Sequence, residues 1–187
     1  MPVRLITPRR FGDARGWFTE SYNRRTFEAL GITADFVQDN HAFSGPAGVL
    51  RGLHFQRPPN AQAKLVRCVR GAIWDVAVDV RRGSPTYGRH AAATLDAQSG
   101  RQLFVPRGFA HGYVTLTADA EVEYKVDDFH APQAEGGLVW NDRSLALPWP
   151  LKGMTPVIAD KDLAWPEFDS FDSPFDYDGV PLDPLDG

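Results

Sequence analysis

The stretch AIWDVAVDV, residues 72–80, alternates with a period of two: Trp74, Val76, Val78 and Val80 fall on one side, Asp75, Ala77 and Asp79 on the other. Successive side chains of an extended chain point to opposite faces, so this pattern reads as a β-strand. Working outward, similar runs lie at Lys64–Val69, Ala91–Leu95, Arg101–Val105, Tyr113–Thr117 and Val122–Val126. Turn signals separate them at Arg82-Gly83-Ser84-Pro85, Gln98-Ser99-Gly100 and Pro106-Arg107-Gly108. Seventeen glycines and fifteen prolines, spread along the chain, keep the segments short. One short helix stands out before them, with Asn23 as cap, Arg24 to Leu30 as body and Gly31 at the left-handed stop. So many closely spaced strands must deal with their sheet edges, and closure does so. The reading is all-β: a jelly-roll β-barrel with a few short peripheral helices.

A chain of 187 residues suits one domain, here taken as 1–187. From Pro148 the pattern loosens, and residues 167–187 form an acidic, Pro-containing extension without period, expected to wrap the surface or fray. The formal charge of −4 gives no reason to expect nucleic-acid binding. A lone cysteine, Cys68, lies in the apolar run KLVRCV and reads as a buried small hydrophobe in a reducing compartment. The N-terminal stretch MPVRLITPRR lacks the apolar core of a secretion signal, and no apolar run reaches the roughly 20 residues that span a bilayer. The expectation is a cytoplasmic protein without a membrane partner.

Five histidines, His41, His54, His90, His111 and His130, make a metal site the first hypothesis to test. Metal-binding barrels of the cupin type present two histidines at i and i+2 with a nearby Glu, and a third His from a later strand. Pro106–His111 resembles the later motif, but His54 is followed by Phe55-Gln56, so the earlier one fails. The expectation is no metal and no cofactor. Inward polar groups are costly to bury unless paired or used, so His54, Lys64, His111 and Tyr124 in a barrel suggest acid/base work on an organic ligand.

Each of these residues also has a plainer reading. By parity His54 shares a face with Leu50 and Gly52, where a lone His is more often a hydrogen-bonded core residue. Arg51 has the opposite parity, so both reach one cavity only with a bulge at Gly52. Tyr124 alternates with Val122 and Val126, where packing is the ordinary role. Lys64 shares parity with Val66 and Cys68, and buried unpaired lysines are rare. Asp162, in ADKD, would ordinarily be surface charge; only a spatial argument could link it to His54.

Taken together, the segments resemble the dTDP-4-dehydrorhamnose 3,5-epimerase family, a branch of the cupin-like barrels. The matches are FGDARGWFTESYN (11–23), FVQDNHAFS (36–44), GVLRGLHFQ (48–56), QAKLVRCVRGAIWDVAVDVRRGSPTYG (62–88), VPRGFAHGYVTL (105–116), VEYKV (122–126), WND (140–142) and ADKD (159–162). They extend from Phe11 to about Pro166, and the stretch beyond has no counterpart. The resemblance implies His54 as general base with Asp162 as its acidic partner, Tyr124 as the acid on the other side of the sugar ring, and Lys64 as the cation beside the C4 oxygen. It implies that Arg15, Glu20, Gln38, Asp39, Asn40, Arg51, His111, Glu135 and Lys161 line the nucleotide-sugar site. Arg15 would come from the neighbouring subunit of a homodimer with exchanged N-terminal segments.

The implied reaction is epimerisation at C3 and C5 of a dTDP-4-keto-6-deoxyhexose through an enolate. The ketone acidifies the hydrogens on both neighbouring carbons, and one base and one acid on opposite faces are the minimum equipment. Imidazole, with an ordinary pKa near 6.5, suits the base. The alternatives are an epimerase acting at C3 only or C5 only on a related sugar, a metal-dependent cupin oxygenase or isomerase, and a silent sugar-nucleotide-binding barrel.

Overall fold

The computed structural model describes residues 1–185. Ten strands form two five-stranded antiparallel sheets facing each other as a cupin-like jelly-roll barrel. The first sheet runs, in spatial order, Arg4–Ile6, Gln102–Val105, Lys64–Arg70, Ala120–Val126, Gln38–Ser44. The second runs Glu135–Gly137, Leu50–Gln56, Phe109–Thr115, Ala72–Asp79, His90–Asp96. Every strand expected from alternation is present, with ends displaced by a few residues; the expected Tyr113–Thr117 run is the end of a strand that begins at Phe109. The helix spans Arg24–Ala29, its first turn closed by the Asn23 side chain accepting from the Arg25 N–H. Gly31 follows at φ +79°.

Both faces of Ala72–Asp79 are buried, so polarity alone does not say which one looks inward. Ile73 and Ala77 pack between the sheets with Val66, Cys68, Leu103 and Val122. The valine stripe faces the other way: Val76, Val78 and Val80 pack with Leu53, Leu138, Leu145 and Phe175. The second sheet is therefore roofed by the C-terminal segment, which wraps the surface. Phe175 and Asp176 pair in parallel with Arg81 and Arg82. Arg81, almost wholly buried, is held by Asp79 at 2.8 Å and Asp178 at 2.6 Å. Burial works against its charge, and these carboxylates outweigh that, keeping the guanidinium above its usual value. The helix, with Phe27, Ile32 and Phe36, covers the outside of the first sheet.

The bulge at Gly52 is present. His54 lies opposite His111, but Arg51 lies opposite Tyr113, so Gly52 and Leu53 together face Gly112. The strands approach so closely there that a Cβ on Gly52 would stand 2.6 Å from the Gly112 Cα. With φ at +124°, the position admits glycine and little else. The extra residue reverses the alternation, which brings Arg51 and His54 to one cavity.

Candidate active site

Between the sheets lies a cavity of about 710 Å³. Its walls follow from register. On the first sheet Lys64 is the partner of Val126 and Tyr124 the partner of Val66, so the ammonium and the phenol are diagonal neighbours on the inner face. Gln38 and Asn40, from the next strand, join them. On the second sheet His54 and His111 stand side by side on paired strands. The imidazole of His54 therefore faces the phenol of Tyr124 across the barrel.

Asp162, predicted to be surface charge unless space brought it to His54, is 2% exposed and accepts a 2.7 Å hydrogen bond from His54 Nε2. Its other oxygen accepts from the Gly52 N–H at 3.2 Å. The segment gets there by pairing: Leu50 N–H donates to Val157, and Val157 N–H to Gly48, which sets the short helix Asp160–Leu163 against the His54 strand. Burial works to raise the carboxyl, but the His54 hydrogen bond and charge, the Gly52 N–H and Lys161 outweigh it and hold Asp162 below the usual range. An ionised carboxylate on Nε2 fixes the tautomer and leaves the lone pair on Nδ1. Trp165 stands edge-on to the ring at 6.3 Å between centroids.

His111 donates through Nε2 to both oxygens of Asp75 at 3.0 Å. Asp75 was not among the expected site residues. Parity puts it opposite the valine stripe, and its complete burial follows from that placement. Desolvation lowers Lys64 to about 8, although Asp75 and Glu135 pull the other way. Tyr124 is pushed up, chiefly by burial, with Arg51 opposing and Glu135 adding. At the mouth, Glu135 meets Lys161 at 3.6 Å. Arg51 pairs with no carboxylate among the described residues, so its guanidinium is available to an anion; it donates to the Phe43 carbonyl at 3.3 Å.

Three expected site residues lie outside this cavity. Asp39 alternates with Gln38 and Asn40 and so points out of the cavity, where it pairs with Lys125 at 2.8 Å. Glu20 is exposed and accepts from Asn23 at 3.2 Å. Arg15 sits at the tip of the hairpin Arg10–Asp13/Gly16–Thr19, bonded to Asp13. That hairpin displays Phe11, Trp17 and Phe18, all at least half exposed. Among the described residues no three His, Cys, Asp or Glu side chains converge on a cation position. No described helix is long and apolar enough to cross a membrane.

The chain is similar in sequence and fold to known proteins. Residues 2–170 match the family model described as dTDP-4-dehydrorhamnose 3,5-epimerase. A Salmonella typhimurium protein of that name is 50% identical over 168 residues, 89% of this chain and 91% of that one. A Bacillus anthracis crystal structure of the same enzyme, with TDP and PPi bound, superposes with a TM-score of 0.86 at 49% identity, covering 88% of this chain and 93% of that chain. A Legionella pneumophila epimerase in complex with dTDP-4-keto-L-rhamnose gives a TM-score of 0.86 at 42% identity, covering 91% and 89%.

Proposed function

The chain belongs to the dTDP-4-dehydrorhamnose 3,5-epimerase family, and on that premise we propose how its residues carry the reaction. The enzyme is an isomerase that inverts C3 and C5 of a dTDP-linked 4-keto-6-deoxyhexose, turning the 4-dehydro-6-deoxyglucose form into 4-dehydrorhamnose. The observation that carries the residue assignment is the 2.7 Å His54–Asp162 pair facing Tyr124 and Lys64 across one cavity.

His54 Nδ1 takes the proton from a carbon beside the ketone. The electron pair of that C–H bond moves into the ring as an enolate, and Lys64 holds the negative oxygen. Tyr124 returns a proton from the opposite face, which inverts the centre. Asp162 stabilises the imidazolium that forms, and Asp75 fixes His111 beside the reacting ring. The step moves a proton out and back, so no electron acceptor takes part. Arg51, which pairs with no carboxylate among the described residues, suits the diphosphate through paired charge-assisted bonds.

In deuterium oxide the inverted product is expected to carry label at both C3 and C5. Label at one centre alone would reduce the enzyme to a single-centre epimerase.

The Lys64 assignment sets the alkaline limb. Its ammonium is charged below about 8 and neutral above. A cation is what the developing oxyanion needs, so kcat/KM should fall as pH rises through that value. Lys64→Arg, whose guanidinium stays charged, should move the limb upward even if it slows the reaction. An unmoved limb would take this titration away from Lys64.

Arg15 and Glu20, outside the cavity of their own protomer, support a homodimer in which the N-terminal hairpin crosses over. The exposed Phe11, Trp17 and Phe18 supply an apolar docking face. Sedimentation as a monomer at assay concentration would sink this. We assign the enzyme, as a single cupin-like domain, to the cytoplasm, where a buried free thiol such as Cys68 persists. Recovery from a periplasmic fraction would overturn that location.

A further inference from the structure

The hairpin Arg10–Asp13/Gly16–Thr19 stands apart from the barrel. The strand before it, Arg4–Ile6, is paired into the first sheet, and the helix after it, Arg24–Ala29, covers that sheet. Between these anchors residues 11–18 are all exposed. One side chain fastens the hairpin. The Arg10 guanidinium donates through Nη2 to the Ala97 carbonyl at 2.8 Å and through Nη1 to the Gln98 carbonyl. The other bonded side chains of the hairpin, Asp13, Arg15 and Thr19, reach only one another or the Arg9 carbonyl. The receiving turn is itself tied shut, with Asp96 accepting from the Ser99 N–H at 2.7 Å and from the Ser99 hydroxyl at 2.9 Å. Gly100, at φ +66°, leaves room for the cation: a Cβ there would stand 2.6 Å from Arg10 Nη2. The other side of Arg10 faces the second strand of the hairpin, 3.9 Å from the Trp17 ring centroid. One planar cation thus grips both the hairpin and the barrel.

We propose that Arg10 is a positioning residue of the epimerase, locking the hairpin to the 97–98 turn so that Arg15, at the hairpin tip, is held on line for the substrate bound in the other protomer. The Arg15 side chain is 90% exposed and bonded to Asp13 of the same hairpin, so among the described residues it is aimed by the hairpin alone. A four-residue strand spans about 10 Å, so a tilt of roughly 20° at the base moves the tip by about 3.5 Å, more than the length of a hydrogen bond. Without the clamp the hairpin takes many directions, and a binding arrangement that is only partly populated lowers apparent affinity by its fraction. The loss falls on binding and not on the proton transfers assigned to His54 and Tyr124.

This role rests on the crossed-over homodimer, and two measurements keep them distinct. In the full-length protein Arg10→Ala should raise KM for the keto sugar about tenfold, the lower range for a hydrogen bond from a charged group, while kcat stays within about twofold. Arg10→Lys, which keeps a cation near the same carbonyls, should recover part of the loss. Arg15→Ala should raise KM at least as much, and adding Arg10→Ala to it should cost less than a further factor of about two, because Arg10 acts only through the arm that carries Arg15. Additive losses would overturn the proposal, as would an Arg10→Ala KM equal to that of the wild type or a fall in kcat alone. Sedimentation of Arg10→Ala as a monomer, beside a dimeric wild type, would make Arg10 an assembly residue and also overturn it. Mixed dimers of His54→Ala and Arg15→Ala subunits read the crossover. One cavity then holds an intact His54 and receives an intact Arg15, so activity with the KM of the wild type should appear. Without that complementation the crossover falls and the proposal with it; with complementation but additive losses, the proposal alone falls.

Discussion

Replacement of His54 by alanine should lower kcat by about 10²–10⁴-fold, the ordinary worth of a positioned general base, while leaving dTDP affinity near that of the wild type. On the proposed assignment the residue serves the chemistry and contributes little to the core. Its side chain is 30% exposed to the cavity and lies outside the buried hydrophobic clusters. Truncation leaves Asp162 with the Gly52 N–H but without its imidazole, a stability cost that His54→Gln should partly relieve by supplying a donor. Both variants should fail to exchange hydrogen at C3 and at C5, because every enolate begins with the same abstraction. The measurement is single-turnover conversion in deuterium oxide beside calorimetric binding of dTDP. Near-native turnover in either variant would remove His54 from the base role and with it the meaning of the Asp162 contact.

The parts of this site that sequence reasoning reached are those governed by local periodicity. Tyr124 between Val122 and Val126, and Lys64 before Val66 and Cys68, were assigned one face by counting, and both line the cavity. The bulge was legible too, since Arg51 and His54 reach one cavity only if Gly52 absorbs an extra residue. Asp162 shows where counting stops. It lies 108 residues from His54, in a helix of four residues, and only the pairing of Leu50 with Val157 brings them together. Asp39 shows the reverse failure: it came in with its neighbours by resemblance, while the two-residue repeat turns it outward. Asp75 was within reach of the same rule, but a strand with a full valine stripe invites the assumption that valines face the barrel interior. Here they face the C-terminal wrap, whose aperiodic sequence hides the contacts of Phe175 and of Asp178 with Arg81. The roof of a sheet carries no local period of its own, so its partner faces are read correctly only once both are in view.

Removing the Tyr124 hydroxyl, as Tyr124→Phe, should separate the two halves of the reaction that His54→Ala abolishes together. The phenol is held protonated by burial, with Glu135 assisting against Arg51, as the acid role proposed for it requires. Its ring packs against the core between the sheets and is preserved in phenylalanine. On the proposed roles, enolate formation needs His54 to abstract and Lys64 to hold the oxygen, and both survive the substitution. Proton return to the far face loses its donor, and inverted product should fall by about 10² or more. The enolate must then collapse by taking its proton back from the His54 side. In deuterium oxide, recovered substrate of unchanged configuration should gain label faster than inverted product appears, the opposite of the balance that efficient inversion gives. Equal losses of exchange and inversion would mean that the phenol also supports abstraction, for instance through the electrostatics of the oxyanion, and the assignment of one proton to each side of the ring would have to be abandoned.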